Sequence, residues 1–276
     1  MSSLALKTLQ LKARHQVYTL LAGNNLSKMH GEGYDFSELR EYQIGDDVRK
    51  INWTITAKLG RPFIKELHSN RELSVVVAAL MDGSLYFGED NRKQQTITEI
   101  ATILGYSAHQ NSDLFTGFNF HNDKHTITPP TKQLYHIENF SKELYQLDTL
   151  HTTLNYENTV HTLFTQLHKR SLLFIIGDFL EPIDLSLLAQ KHEVVAIIVR
   201  NRTEEHPHSL GEVILDNPHN DQSLNTYFGT RNIQHYLAKL QEHDEALRTH
   251  FMKYDIRYLK IYTDEEPIEK LVRFFM

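Results

Sequence analysis

Two short apolar runs limit what this chain can fold into more than any other feature: LSVVVAALM at 73–81 and LLFIIG at 172–177. Both are rich in strand-forming residues, and neither shows the alternation of a strand with one wet face. Runs of this kind read as strands covered on both faces, which belong to parallel sheets flanked by helices. Each run is followed by an aspartate, Asp82 or Asp178.

The rest of the sequence alternates as such a fold requires. Helical patterns over 93–109, 134–147, 157–168, 185–191, 232–253 and 268–275 are interleaved with strand patterns over 114–120, 125–128, 194–199, 212–215 and 257–261. Asn122 and Asp123 mark a turn. Pro129 and Pro130 are expected to stop the pairing of the strand before them, because proline brings no donor to a ladder. The pattern predicts an α/β sandwich with a mainly parallel sheet. Ahead of it, residues 4–22 carry Leu6, Leu9, Ala13, Val17, Leu20 and Leu21 on one side of a helix that Gly23 is placed to end.

Between that helix and the first apolar run lies residues 31–66, GEGYDFSELREYQIGDDVRKINWTITAKLGRPFIKE. Its apolar residues hold neither the helical nor the strand period for long. It contains the only tryptophan, Trp53, and interleaves Arg40, Arg49, Lys50, Lys58, Arg61 and Lys65 with Glu38, Glu41, Asp46, Asp47 and Glu66. Linkers are not composed this way, so the segment reads as a folded interaction block. Asp46 or Asp47 can cap a short helix through Val48, Ile51 and Ile55 up to Gly60, with 62–67 extended. Most of its charges are expected to form local ion pairs on a solvated face. A boundary near Arg71 divides the chain into an N-terminal accessory region, 1–70, and the α/β domain, 71–276.

The order G-x-G-x-D-F-x-E-L-R-E-Y-x-x-G-D-D-V-R-x-I-N-W within this block runs over Gly31, Gly33, Asp35, Phe36, Glu38, Leu39, Arg40, Glu41, Tyr42, Gly45, Asp46, Asp47, Val48, Arg49, Ile51, Asn52 and Trp53. It resembles the signature of the Domain of Unknown Function 58 family. That resemblance implies a von Willebrand factor A-like, Rossmann-like α/β fold and a working partnership with MoxR-type AAA+ ATPases. It implies no reaction.

Asp82 and Asp178 are the best candidates for chemistry, since open α/β sheets bind ligands at the carboxyl ends of their strands. Strands lie about 4.8 Å apart, so adjacent ones would converge these carboxylates on a space suited to one hard cation. Ser84 can add a hydroxyl, and Thr153, or alternatively Thr152, another. The set resembles the metal-ion-dependent adhesion site of von Willebrand factor A domains, whose D-x-S-x-S loop is matched by Asp82 and Ser84. Tyr86 stands where the second serine belongs, so the resemblance implies a degenerate site that holds Mg2+ weakly or not at all. The bland alternative is that both aspartates cap turns or accept loop hydrogen bonds. A D-P-x-E pattern of the family falls on Asn201 and Arg202 with only Glu204 kept.

Composition narrows the remaining classes. With 40% hydrophobic residues a sizeable core is expected; the absence of cysteine removes disulfides and thiolate metal sites. No apolar run approaches the roughly 20 residues of a membrane helix, and Lys7, Lys12 and Arg14 interrupt the apolar start, so a cytoplasmic protein is expected. A net charge of -6 opposes bulk nucleic-acid binding. Nucleotide-binding, zincin and serine-hydrolase motifs are missing. The 17 histidines, including the pairs His121 with His125 and His243 with His250, read as surface or hydrogen-bonded groups. The expected function is therefore a non-enzymatic interaction module or adaptor, with Arg40, Tyr42, Asp46, Asp47, Arg49 and Trp53 as candidate partner contacts. Two alternatives come from other classes. One is a metal-dependent phosphate-ester hydrolase using Asp82 and Asp178. The other is a nucleic-acid binder using the basic residues of 40–65.

Overall fold

The apolar runs at 73–81 and 172–177 form neighbouring parallel strands, and the larger part of the molecule is arranged about them. The computed structural model describes residues 3–25, 35–43, 46–68, 73–87 and 92–275. In chain order the elements are α1 (Ser3–Asn25), β1 (Asp35–Glu41), α2 (Trp53–Leu59), β2 (Phe63–His68), β3 (Ser74–Leu80), α3 (Arg92–Gln110), β4 (Leu114–His121) and β5 (Lys124–Thr131). They continue with α4 (Leu134–Gln146), α5 (Tyr156–Gln166), β6 (Leu172–Gly177), α6 (Ser186–Ala189), β7 (Glu193–Arg200), α7 (Arg202–Glu205), β8 (Gly211–Asp216) and β9 (Ser223–Phe228). The last are α8 (Thr230–Lys253), β10 (Arg257–Tyr262) and α9 (Pro267–Phe275).

Six strands form one sheet in the order β10-β7-β6-β3-β4-β5, parallel throughout except for the edge strand β5. Alternate side chains divide between two helical layers. Val76, Ala78 and Leu80 of β3 join Leu173 and Ile175 of β6 in packing with Leu163, Leu188, Leu247 and Phe251 from α5, α6 and α8. On the other face α3 crosses β3, β4, β6 and β7 and packs against α4 and α9. Full burial of each such side chain is worth about 1.5–3 kcal/mol, which is why the runs tolerate no polar interruption. The approach of α4 is close enough that a Cβ on Gly117 would lie 2.8 Å from the Phe140 ring. This is a mixed α/β fold with a six-stranded, mostly parallel central sheet flanked by helices.

Some expectations are corrected. Pairing does not stop at Pro129 and Pro130: β5 runs to Thr131 opposite Phe115, with an irregular register between Phe115 and Gly117. Proline is admissible there because β5 is an edge strand. The strand at 212–215 does not join the central sheet; as part of β8 it pairs, among the described residues, with β9 in a separate antiparallel hairpin. The segment SLNTYF of β9 has no apolar run to announce it. The helix at 185–191 shortens to α6.

The molecule divides into two compact units, Leu20–Glu72 and the remainder. Within the smaller one β1 and β2 pair antiparallel, with Arg40 opposite Ile64 and Glu41 opposite Phe63. The helix expected from Asp47 to Gly60 is broken in two. Asp47 caps a single 3-10 turn, Val48–Lys50, after which Ile51 turns extended and bridges Ile64. Asn52 then caps α2 by accepting from Ile55 N, and Gly60 ends it at φ +69°, a left-handed conformation that suits glycine. Arg71, Gly31, Gly33 and Gly45 lie outside the described residues.

In the larger unit Leu6, Ala13 and Val17 bury one stripe of α1, and Lys12 bridges Glu99 at 3.0 Å and Glu266 at 2.8 Å. Among the described residues no helix is long and apolar enough to cross a membrane.

Candidate functional site

From β3 the chain moves through α3 to β4 on one side, whereas β6 lies on β3's other side. The β3–β6 boundary is thus where strand order reverses, and a crevice at the carboxyl ends of the strands belongs there. Asp82 and Asp178 both stand at it, held by the register that puts Ala79 beside Ile176.

The geometry is built from the turn that follows β3. Asp82 caps a 3-10 turn, Gly83–Leu85: its Oδ1 accepts from Ser84 N at 3.1 Å and from the Ser84 hydroxyl, and its Oδ2 accepts from the Tyr156 hydroxyl at 2.7 Å. Ser84 Oγ also lies 2.6 Å from Asp178 Oδ2, so its one hydroxyl proton is shared between the two aspartates. Asp178 Oδ1 accepts from Leu180 N at 3.3 Å.

The cation of the site is a side chain. Lys93, in the first turn of α3, donates to Asp178 Oδ2 at 3.0 Å and to Glu204 Oε1 at 2.7 Å. Glu204 is placed by a capping box at α7, where its Oε2 accepts from Asn201 N at 2.6 Å while Asn201 Oδ1 accepts from Thr203 N. Asp82, Ser84, Lys93, Asp178 and Glu204 are each at most 7% exposed. Beneath them Arg200, at the end of β7, donates to the Asp178 and Phe179 carbonyl oxygens at 2.5 and 3.0 Å and to Asp244 at 3.2 Å.

These contacts set the charges. Burial on its own pushes Asp178 upward, but the Lys93 charge, the Ser84 hydrogen bond and Arg200 outweigh it and hold the carboxyl below its ordinary value. Burial, followed by the negative charges of Asp82 and Asp178, raises the Tyr156 phenol, which therefore remains a donor.

A cover lies over the turn. Gly83 N donates to Thr152 O at 3.0 Å, and His151 N donates to Pro218 O, in the turn joining β8 and β9, at 2.8 Å. A Cβ on Gly83 would fall 2.2 Å from Pro218 O and 2.9 Å from Thr152 O, so only glycine fits. Of the threonines expected here, Thr153 is exposed. Thr152 is buried and spends its hydroxyl on Thr149 O at 2.6 Å; it serves the site through its carbonyl. Tyr86 is 40% exposed.

The residues do not fit a magnesium ion. Magnesium needs about six oxygens in near-octahedral array, whereas the space between Asp178 and Glu204 is taken by the Lys93 ammonium, 3.0 Å from Asp178 Oδ2 and 2.7 Å from Glu204 Oε1. Among the described residues no three histidine or carboxylate side chains are grouped as a metal would require. Both aspartates also do what the bland alternative asks of them, Asp82 as a cap and Asp178 as a loop acceptor.

Sequence reasoning missed Lys93, Tyr156 and Arg200. A lysine at a helix start reads as solvated, and nothing in its spacing says otherwise. Glu204 was findable, since N-x-x-E at Asn201 is a capping signature.

The candidate partner contacts lie in the smaller unit. Asp47 accepts from Arg49 N, Nε and NH2 at 3.0, 3.1 and 3.0 Å, Asp46 accepts from Gln43 N at 2.8 Å, and Tyr42 N donates to Pro62 O at 2.8 Å. Trp53 is 67% exposed. The Arg40 side chain lies outside the described residues. Of the histidines, His121 bonds Met81 O, His243 bonds Phe179 O and His250 accepts from Leu185 N.

Residues 38–247 match the family described as "Protein of unknown function DUF58". The chain is similar to "Uncharacterized protein Rv1480" of Mycobacterium tuberculosis (strain ATCC 25618 / H37Rv), 27% identical over 220 residues, covering 76% of this chain and 69% of that protein. The same figures hold for "Uncharacterized protein Mb1516" of Mycobacterium bovis. Among solved structures it is similar to the conserved hypothetical protein BatB from Bacteroides thetaiotaomicron, at a TM-score of 0.43 and 9% identity over 74% of this chain and 97% of that one, a likeness too low to bear on the fold.

Proposed function

This chain belongs to the DUF58 family, and we propose that it works as a non-enzymatic protein-interaction module. Its α/β unit is read as von Willebrand factor A-like with a degenerate adhesion site. Its partner is read as a MoxR-type AAA+ ATPase, as the sequence resemblance implies, acting in assembly or activation of protein complexes. The observation that carries the reading is Trp53, the only tryptophan, 67% exposed at the start of α2. Val48 and Leu59 are exposed in the same short segment. Tryptophan is among the residue types enriched at interface hot spots.

The carboxyl ends of β3 and β6 support the same reading from the other side. The acids and the hydroxyl there are buried and satisfied by one another, which weighs against the phosphate-ester hydrolase. Arg49 and Arg61 are tied to Asp47 and Glu41, at 3.0 and 2.9 Å, which weighs against a nucleic-acid groove.

The test is binding of the purified chain to a purified MoxR-type ATPase of the same source, with ATP, with a non-hydrolysable analogue and without nucleotide. Nucleotide-dependent binding that weakens about 30-fold or more in Trp53→Ala, the range of a hot spot, is expected. Equal binding by wild type and Trp53→Ala would remove Trp53 as the carrier. No binding in any nucleotide state would remove the ATPase as the partner.

A further inference from the structure

We infer that the site at the ends of β3 and β6 carries its cation covalently, as the Lys93 ammonium, and that the native chain takes no divalent ion there. A divalent ion bound at Asp178 Oδ2 would share that oxygen with an ammonium already 3.0 Å from it. In a buried site a dication and an ammonium that close repel strongly, because little water lies between them. Lys93 has nowhere better to go. It is 1% exposed, its charge is matched by Asp178 on one side and Glu204 on the other, and its ammonium lies 5.5 Å from the centroid of the Phe87 ring. An ammonium leaving this position would strand two buried carboxylates.

Lys93, rather than Tyr86, then accounts for the departure from the adhesion-site pattern. The sequence points to Tyr86, which is 40% exposed. Lys93 lies inside the cluster, 3.0 Å from Asp178 and 2.7 Å from Glu204. Replacing Tyr86 by serine would therefore restore the motif in the sequence and leave the ammonium in place. Removing Lys93 instead would leave Asp178, Glu204 and the Ser84 hydroxyl around the vacated volume. One or two carboxylates completed by water is a donor set that magnesium accepts.

The experiment is a set of thermal melts and calorimetric titrations of wild type, Lys93→Ala, Lys93→Met and Tyr86→Ser, in EDTA and in millimolar Mg2+ or Mn2+. Wild type and Tyr86→Ser are expected to melt at the same temperature in every condition and to give no binding heat. Lys93→Ala is expected to melt lower in EDTA and to be raised by either ion, with the rise lost in Lys93→Ala/Asp178→Asn. Lys93→Met, which fills the volume without charge, should melt low and stay low. One equivalent of Mg2+ bound by wild type and lost in Asp178→Asn would overturn the inference. So would a Lys93→Ala chain that melts low and responds to neither ion, since Lys93 would then be only an ion-pair partner. If Lys93→Ala does not fold, the wild-type and Tyr86→Ser titrations decide the matter alone.

Discussion

Lys93, in the first turn of α3, and Arg49, in the 3-10 turn capped by Asp47, are both basic residues held by acid at hydrogen-bond distance. Lys93 reaches Asp178 and Glu204 at 3.0 and 2.7 Å in a site sealed from water, whereas Arg49 reaches Asp47 at 3.0 Å with 87% of its side chain exposed. The contact distances are nearly the same, and their consequences differ because of what surrounds them. Around Arg49 water replaces either partner at once. Around Lys93 water cannot take a partner's place, so the charges of that cluster are part of the fold, while the exposed Arg49–Asp47 pair contributes little to stability.

The largest expected effect follows from removing the buried cation. Lys93→Met leaves Asp178 and Glu204 uncompensated and should cost about 3–5 kcal/mol, read as a fall in the urea midpoint at constant slope. Neutralising the acids as well, in Lys93→Met/Asp178→Asn/Glu204→Gln, should return most of that loss. A single variant within experimental error of wild type would end the comparison, because the two lysine and arginine sites would then be energetically alike.

Next is the cover. Gly83→Ala puts a methyl 2.2 Å from a backbone oxygen of the turn joining β8 and β9. Overpacking of this sort costs about 1–3 kcal/mol. Hydrogen exchange should rise at residues 149–153 and 217–222 while that of β3 and β6 stays slow. Uniform exchange across the molecule would mean that the turn is not a separate layer over the site.

A smaller effect depends on pH. His192 is 4% exposed, neither ring nitrogen has a hydrogen-bond partner among the described residues, and burial, with Lys191 adding to it, pulls the imidazole below its ordinary 6.5. The unfolded chain then binds a proton that the folded one resists. Stability is full above the unfolded value, falls as pH drops below it, and has lost this contribution once pH passes the lower folded value. His192→Asn should flatten that part of the stability profile. Asp178 acts in a lower window: its stabilisation is present above its ordinary 3.8 and is lost as pH falls through its depressed folded value. A wild-type profile flat from neutral pH down to the ordinary carboxylate range would show His192 protonated freely in the folded state.

What the sequence made legible divides along the same line. β3 and β6 were readable as strands because apolar runs have one use; their adjacency was not, since nothing in either run fixes the strand order. Asp82, Ser84 and Asp178 were readable because position at a strand end is a local property. Lys93 was not, since its role depends on α3 starting over the β6 end, a relation between distant segments that no local pattern records. Nor was β1, whose charged sequence DFSELRE owes its strand to pairing with β2. The split of the expected helix at Asn52 arises the same way, from the bridge between Ile51 and Ile64.

The smallest expected effect on stability is the most useful for separating the two regions. Arg49→Glu removes a charge pair in open solvent and places a like charge beside Asp47, where screening leaves little of either interaction at physiological salt. The urea midpoint should therefore stay within error of wild type. Binding to the proposed ATPase should nevertheless weaken, mainly through a slower association rate, and the difference from wild type should shrink as salt is raised. A midpoint that falls as far as that of Lys93→Met would show Arg49 to be structural. An unchanged midpoint together with unchanged association at low salt would leave Trp53 as the remaining support for an interface in the smaller unit, and would place the recognition in its apolar residues.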